Sequence, residues 1–461
     1  MDELIYASAT DLAKAIRTKE ASSQEVTDAY LARIEAVNPQ LNAVVQLTAD
    51  TAREQARRAD EALARGEVRG PLHGVPMTIK DSLDTAGVIT TAGTSGRASF
   101  VPAQDATVVA RLRAAGAILL GKTNTPELTL SAETDNLVYG RTNNPYEPSL
   151  IPGGSSGGAA AIVAAGGSPF DLGSDTGGSI RQPAHFCGIA GIKPTSGRVP
   201  RTGHIVSFDL GALDALTQIG PMARFVQDLV LILPIVAGPD WRDPAVVPMP
   251  LGDPSVVDFK GLRAAFYTDN GVASPTPETA EVVLQAATVL RDAGVAMEED
   301  RPPGIERVAG LWQQLAVADG GAWIRRLLQE AETTEVHPML ENRFLSHESI
   351  SSAEFTALLT RLDRVRSAMI SFLEKYDLIV CPVNAYPAMP HGTTSDRSAS
   401  FSYTRIYNLA GWPGAVVRGG TSPEGLPIGV QIVARPWRED VALAAAQQIE
   451  TALGGWQRPP I

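Results

Sequence analysis

The feature that most constrains this chain is the run Pro152-Gly153-Gly154-Ser155-Ser156-Gly157-Gly158, which passes directly into the small-residue segment Ala159 to Ala165. Six consecutive Gly and Ser residues carry a large backbone entropy that must be lost on ordering. Each glycine permits a conformation or a close approach denied to other residues. A flexible Gly/Ser linker is the simplest alternative, but linkers do not usually run into a helix-forming apolar segment. The stretch reads as an ordered turn.

A second unusual stretch follows at Gly173-Ser174-Asp175-Thr176-Gly177-Gly178-Ser179-Ile180-Arg181. Successive backbone N–H groups in a Gly-rich turn can converge on one point, as an oxyanion requires, and Ser179 is held beside them. Alone, the segment could equally be an ordinary turn capped by Ser179. A third stretch, Gly74-Val75-Pro76-Met77-Thr78-Ile79-Lys80-Asp81, delivers a lysine at the end of an apolar strand. Most such lysines reach into water.

The chemistry of the three stretches is complementary. A serine hydroxyl is a poor nucleophile unless a neighbour accepts its proton, and no histidine motif is present to do so. His185 and His204 lie close in sequence, but none of the six histidines is assigned a catalytic role. A lysine can act as the base only when neutral, which requires a desolvated site; Val75, Met77 and Ile79 on its own strand supply apolar surroundings.

Composition narrows the class. With 461 residues, 44% hydrophobic and 20% charged, the chain reads as globular and large enough for a sizeable core. The net charge of -12 is spread along the chain without a basic cluster, which argues against nucleic acid or anionic membrane as partners and says little about substrate. Met1 to Ile16 lacks the pattern of an export signal, and no stretch approaches membrane-spanning length. Cys187 and Cys381 are too few for a disulfide framework or a cysteine-based zinc site, consistent with a reducing cytoplasm. Neither a metal nor a cofactor is expected.

Ser22 and Glu25 have capping-box spacing, and Val26, Tyr30 and Ile34 then recur on one helix face until Asn38-Pro39 is expected to stop it. A second helix is expected from Ala49 to Arg65, ending at Gly66. From Pro71, short apolar runs alternate with helical stretches: Val75 to Ile79, Ala117 to Leu120 and Ile189 to Ile192 read as strands, Ala106 to Ala115 as helix. Strands are also expected at Leu378 to Cys381, Ala415 to Arg418 and Ile428 to Val433, with a last helix from Glu439 to Leu453. This alternation predicts an α/β fold. Residues 304–375 are mostly helical, and no segment has the character of an interdomain linker, so 1–461 is read as one domain with N-terminal helices over 1–66 and a helical insertion at about 304–375.

Together the three stretches resemble the amidase signature family. Its lysine lies in a segment very like GVPMTIKD, its bridging serine is the first of GGSSGG, and its nucleophile ends DTGGS, followed by IRQPA. Ser179 follows Ser155 by 24 positions, the family's usual separation. The likeness extends through Gly121 to Leu128, Phe186 to Val199, Ile219 to Arg224, Tyr407 to Gly414 and Gly425 to Val433, and is weakest between about Asp240 and Lys375.

The resemblance implies a large mixed, twisted β-sheet covered by helices on both faces. It implies Lys80, Ser155 and Ser179 as a catalytic triad, with backbone N–H groups of Thr176, Gly177, Gly178 and Ser179 around the oxyanion. It also implies a cis peptide bond at the bridging serine. Arg181 is expected to pair with a carboxylate under the site, Asp175 being nearest in sequence. By similarity to fatty acid amide hydrolase, Thr129 and Leu130 lie near the acyl pocket, and the variable segment around Trp312 to Phe344 covers its entrance. These positions point to a small-molecule substrate, an uncharged, partly apolar amide, with ester or urethane cleavage open to the same acyl transfer.

Three rival readings follow from the same letters. Gly154-Ser155-Ser156-Gly157-Gly158 satisfies G-x-S-x-G, which would make Ser156 the nucleophile of an α/β-hydrolase. Gly116 to Thr123 fits the P-loop pattern, although its variable residues belong to a strand rather than a loop. The third lies within the family: the glutaminase subunit of a tRNA-dependent amidotransferase. DTGGSIRQPA suits it, but the long helical segment that recognises glutamine is not evident in Met339 to Tyr376, and Gly411-Trp412-Pro413 and Thr421 to Gly425 look like stand-alone amidases.

Overall fold

Strand periodicity decides where the core lies. In the strand Leu378–Pro382, Leu378 and Val380 enter one apolar cluster while Ile379 and Cys381 enter another, and Ile432 and Val433 divide the same way on Pro427–Ala434. Successive side chains of a strand point to opposite faces, so this sheet is buried on both sides. That is why its strands read in sequence as continuous apolar runs.

The computed structural model describes residues 2–208, 214–308 and 310–461. A three-stranded sheet holds β1 (Val44–Leu47), β2 (Pro76–Lys80) and β3 (Ile118–Thr123) in the order β1-β3-β2, with β2 and β3 parallel. The main sheet is built from β4 (Phe170–Asp175), β5 (Ala190–Lys193), β6 (Gln218–Ala223), β7 (Arg263–Phe266), β8 (Ala296–Glu299), β9 (Leu378–Pro382), β10 (Gly414–Thr421) and β11 (Pro427–Ala434). Its order is β4-β6-β5-β10-β11-β9-β7-β8, parallel only where β7 meets β8 and β9.

Helices Pro277–Asp292 and Glu439–Leu453 supply the cluster on one face. Leu311–Ala316, Ala322–Glu330, Ser352–Phe372 and Ser402–Ala410 supply the cluster on the other. The protein is therefore an α/β fold with a mixed sheet covered on both faces, the small sheet being an addition to what the sequence pattern conveyed. No helix among the described residues is long and apolar enough to cross a membrane. Cys187 and Cys381 are both free and buried.

Two sequence expectations are corrected. The capping box of Ser22 and Glu25 forms, but the helix Ser23–Leu41 continues through Pro39. Proline so near the end removes a single bond of the last turn. Asn42, in left-handed conformation, closes the helix onto Asn38 O at 2.7 Å, while the Asn38 side chain accepts from Ala43 and Val44 N–H. Secondly, a long helix is present within Met339 to Tyr376: Ser352–Phe372 spans 21 residues behind a Ser351/Glu354 capping box. It buries only Leu358, Leu362 and Met369 as a sparse stripe, which weakens its periodic signature.

Candidate active site

Lys80 ends β2, and its register opposite Thr123 of β3 carries its side chain into the interior, where it is 0% exposed. Its Nζ lies 2.6 Å from Ser155 Oγ, 2.9 Å from Ser174 Oγ and 3.0 Å from Ser156 Oγ. Three neutral hydroxyls solvate the nitrogen without pairing its charge. Burial pushes the Lys80 pKa well below its ordinary value, with the more distant Asp175 and Asp171 opposing the shift. Burial thus favours the neutral amine.

Backbone proximity explains the glycines. A Cβ at Gly158 would come within 2.4 Å of Asn124 N, and one at Gly154 within 2.7 Å of Ala132 C, so both positions exclude larger residues. The turn enters the buried helix Gly157–Ala164, and the Gly154–Ser155 peptide is cis. Ser156 N–H donates to Ser179 O at 3.2 Å, tying this turn to the second one.

The second turn hangs from the end of β4. Asp175 accepts from Gly178 N–H at 2.8 Å and Ile180 N–H at 3.1 Å, and from Arg181 Nε and Nη2 at 3.0 and 2.9 Å, both side chains being fully buried. Burial pushes the Asp175 carboxyl up, but Arg181 and a hydrogen bond from Asn408 outweigh it and hold the group well below the usual range. Arg181 is fixed in turn by Thr404 O, Gln431 Oε1 and Asn408 Oδ1. The expected Arg181–Asp175 pair is thus the frame of the turn.

One of the four expected oxyanion donors needs correction. The Gly178 N–H is committed to Asp175, which leaves Thr176, Gly177 and Ser179 as the candidates. The reason is that the same carboxylate that pairs with Arg181 also caps the turn. Thr176 and Gly177 are held from behind, Thr176 O accepting from Trp312 Nε1 at 2.8 Å and Gly177 O from Thr404 Oγ1 at 2.9 Å.

Ser179, half-buried, opens onto a narrow pocket with about 40 Å³ open to water. Thr129 and Leu130 line it, as do Trp312 and Phe344 from the segment expected to cover the entrance. Six further lining residues were not singled out from sequence: Ser131, Ala132, Gln182, Arg343, Phe401 and Arg405. Gln182 alone had a signal, lying in the IRQPA stretch. Thr129 has φ +63° and its buried hydroxyl makes no hydrogen bond.

The rival motifs are removed by their surroundings. Ser156 is 0% exposed, held by Lys80 and by the Ser174 backbone, so it cannot meet a substrate as an elbow nucleophile. The P-loop pattern lies on β3, where Lys122 is buried against Leu83 O, Thr85 and Thr90. His185 bonds Tyr386 O and Gly429 N–H, and His204 the Val206 backbone. No cluster of metal-ligating side chains occurs among the described residues.

Residues 25–443 match the family described as Amidase. The chain is 37% identical to a Glutamyl-tRNA(Gln) amidotransferase subunit of Moorella thermoacetica, over 99% of both chains. Among solved structures, fatty acid amide hydrolase superposes with a TM-score of 0.89 at 27% identity, covering 98% of this chain and 86% of that one. 6-Aminohexanoate cyclic dimer hydrolase superposes with a TM-score of 0.88 at 28% identity, covering 99% of both chains.

Proposed function

This chain belongs to the amidase signature family, and on that premise we propose that it is a self-sufficient hydrolase cleaving the C–N bond of a small amide through an acyl-enzyme on Ser179. The observation that carries this reading is Lys80 Nζ, closed to solvent, 2.6 Å from Ser155 Oγ. Ser155 takes the proton of Ser179 as it attacks the carbonyl carbon and hands its own to neutral Lys80. N–H groups of Thr176, Gly177 and Ser179 receive the developing oxyanion. The relay in reverse protonates the departing amine, and water hydrolyses the acyl-Ser179.

The expectation of an uncharged, partly apolar substrate is kept only in part. Leu130, Trp312, Phe344 and Phe401 support the apolar half. Arg343 and Arg405 in the same lining argue against the uncharged half. Esters and carbamates are open to the same acyl transfer, since the oxyanion turn responds to the carbonyl.

A second reading, a glutaminase working within an amidotransferase, is favoured by the full-length identity to the amidotransferase relative. The helix Ser352–Phe372 also removes one reason for setting it aside. Against it, none of the described residues lining the pocket is acidic, so among them the ammonium of a free amino acid finds no counter-charge. The deciding experiment offers the purified chain matched anilide, alkyl amide, ester, carbamate and L-glutamine, then measures the mass of trapped enzyme. Acylation of Ser179 by an amide other than glutamine supports the proposal; brisk ammonia release from glutamine alone overturns it.

A further inference from the structure

Two guanidinium groups flank one tryptophan in the pocket. Arg343 Cζ lies 5.5 Å from the Trp312 ring centroid and Arg405 Cζ lies 5.4 Å from it. Trp312 itself is fastened to the oxyanion turn, donating to Thr176 O at 2.8 Å and lying 3.3 Å from where a Cβ on Gly177 would stand. Both arginines are half-buried and line the pocket beside Ser179.

Neither arginine pairs with a carboxylate among the described residues. Arg405 donates to Ser398 O at 3.2 Å and lies near the Phe401 ring; the other close contact of the Arg343 head is the Phe344 ring. Arg181, Arg198 and Arg201 by contrast each meet a carboxylate at 2.9 Å, and buried Arg224 is held by the carbonyls of Ala7, Val163 and Ser168. Enclosure pushes Arg343 down to about 10 and Arg405 to about 9, with Arg343 adding repulsion to Arg405. Both remain cationic at neutral pH, so two like charges share one pocket without a compensating carboxylate among the described residues. Ring faces offset such a cost only partly.

The Thr129 hydroxyl supplies an independent sign. It is 4% exposed, lines the same pocket and has no hydrogen-bond partner. A hydroxyl so placed is available to a ligand that enters the pocket.

We infer that Arg343 and Arg405 form an anion subsite beside the oxyanion turn, and that the preferred substrate is an amide bearing a carboxylate and no ammonium group. This rests on the amidase reading above. A carboxylate accepts from planar guanidinium forks in the geometry they offer best. An ammonium in the same pocket would face two cations and, among the described residues, no acid.

The test compares kcat/KM within pairs that differ only in the anion: succinamate against butyramide for a carboxylate on the acyl side, and 4-acetamidobenzoate against acetanilide for one on the leaving group. The wild type should prefer the carboxylate member of at least one pair by about tenfold or more, since a site built for a polar group discriminates against its absence. Arg343→Met and Arg405→Met should collapse that ratio, and Arg405→Lys should restore part of it. Glutaramate should outpace L-glutamine, which adds only the ammonium. No preference in either pair, an unchanged ratio in both Met variants, or faster glutamine turnover overturns the subsite.

Failure of the amidase reading is distinguished by a readout that needs no turnover. A sulfonyl fluoride labels Ser179 if it is activated, and glutarate should slow that labelling in the wild type but not in Arg343→Met. Labelling that glutarate leaves unaffected overturns the subsite with the nucleophile intact. Absence of labelling at Ser179 overturns the amidase reading and the subsite with it.

Discussion

The Nζ atom of Lys80 and the Oγ atom of Ser155 lie 2.6 Å apart although their residues are 75 positions apart in sequence. Lys80 closes β2, whereas Ser155 sits in the turn before the helix Gly157–Ala164. Their meeting places a depressed lysine against a hydroxyl whose chain neighbour Ser156 donates its N–H to Ser179 O, and the first prediction concerns that lysine.

Burial lowers the Lys80 pKa, so the protonated, inactive form should dominate only on the acid side. The acid limb of kcat/KM should rise with pH through an ionisation well below the ordinary lysine value of about 10.4 and then level off. Lys80→Met should lower kcat/KM by about 10²–10⁴-fold and abolish that limb. A pH–rate profile of both proteins checks this; an unaltered limb in the variant would sink the relay.

Ser179→Ala should abolish amide hydrolysis, and Ser155→Ala should cost orders of magnitude. Because linked members act as a unit, the Ser155→Ala/Ser179→Ala double variant should be no slower than Ser179→Ala alone. Single-turnover kinetics on the three proteins read the non-additivity.

Ser156 holds Lys80 at 3.0 Å yet is sealed from the pocket. Ser156→Ala should slow turnover by about tenfold, as expected for one hydrogen bond of about 1–1.5 kcal/mol, while acyl-enzyme still accumulates on Ser179. Peptide mass mapping of quenched enzyme would reveal any shift of the acyl group.

Arg181 and Asp175 are fully buried partners. Removing one leaves the other as an uncompensated charge, so Arg181→Met or Asp175→Asn should destabilise the fold by about 3–5 kcal/mol. Arg181→Lys should recover little, because it cannot reproduce the two contacts at 3.0 and 2.9 Å. Denaturant midpoints compared with wild type measure the loss.

Asp171 is buried under β2, accepting from Thr78 Oγ1 at 2.6 Å and Thr123 Oγ1 at 3.0 Å, and burial pushes its carboxyl up to about 7. Its folded pKa lies above the unfolded value of about 3.9. The associated stability is therefore present below about pH 4 and lost as pH rises to about 7, where the folded state also ionises. Relative to Asp171→Asn, wild type should lose stability across that interval and run parallel above it. Melting temperatures of the two proteins between pH 4 and 8 test the sign.

The local chemistry was legible where it is written as backbone necessity. Gly154 and Gly158 are glycines because Ala132 and Asn124 backbone atoms occupy the space of a side chain, and that necessity survives in any sequence using the same turn. Thr129 and Leu130 were legible only through the family resemblance. Arg343 and Arg405 were not, since an arginine in a helical stretch reads as a solvated residue until its neighbours are known. The Gly178 N–H was expected to serve the oxyanion, and only the position of the Asp175 carboxylate withdrew it.

By itself the sequence determined the α/β class, the family, and the candidates Lys80, Ser155 and Ser179, because turn glycines and strand runs are local constraints that composition and spacing expose. Only the tertiary structure decided that Lys80 is dry, that Ser156 is sealed while Ser179 is open, and that two arginines with no acid beside them among the described residues face the pocket. Those properties depend on which distant segments pack together. Burial and charge compensation are set by neighbours in space, and a sequence records neighbours only along the chain.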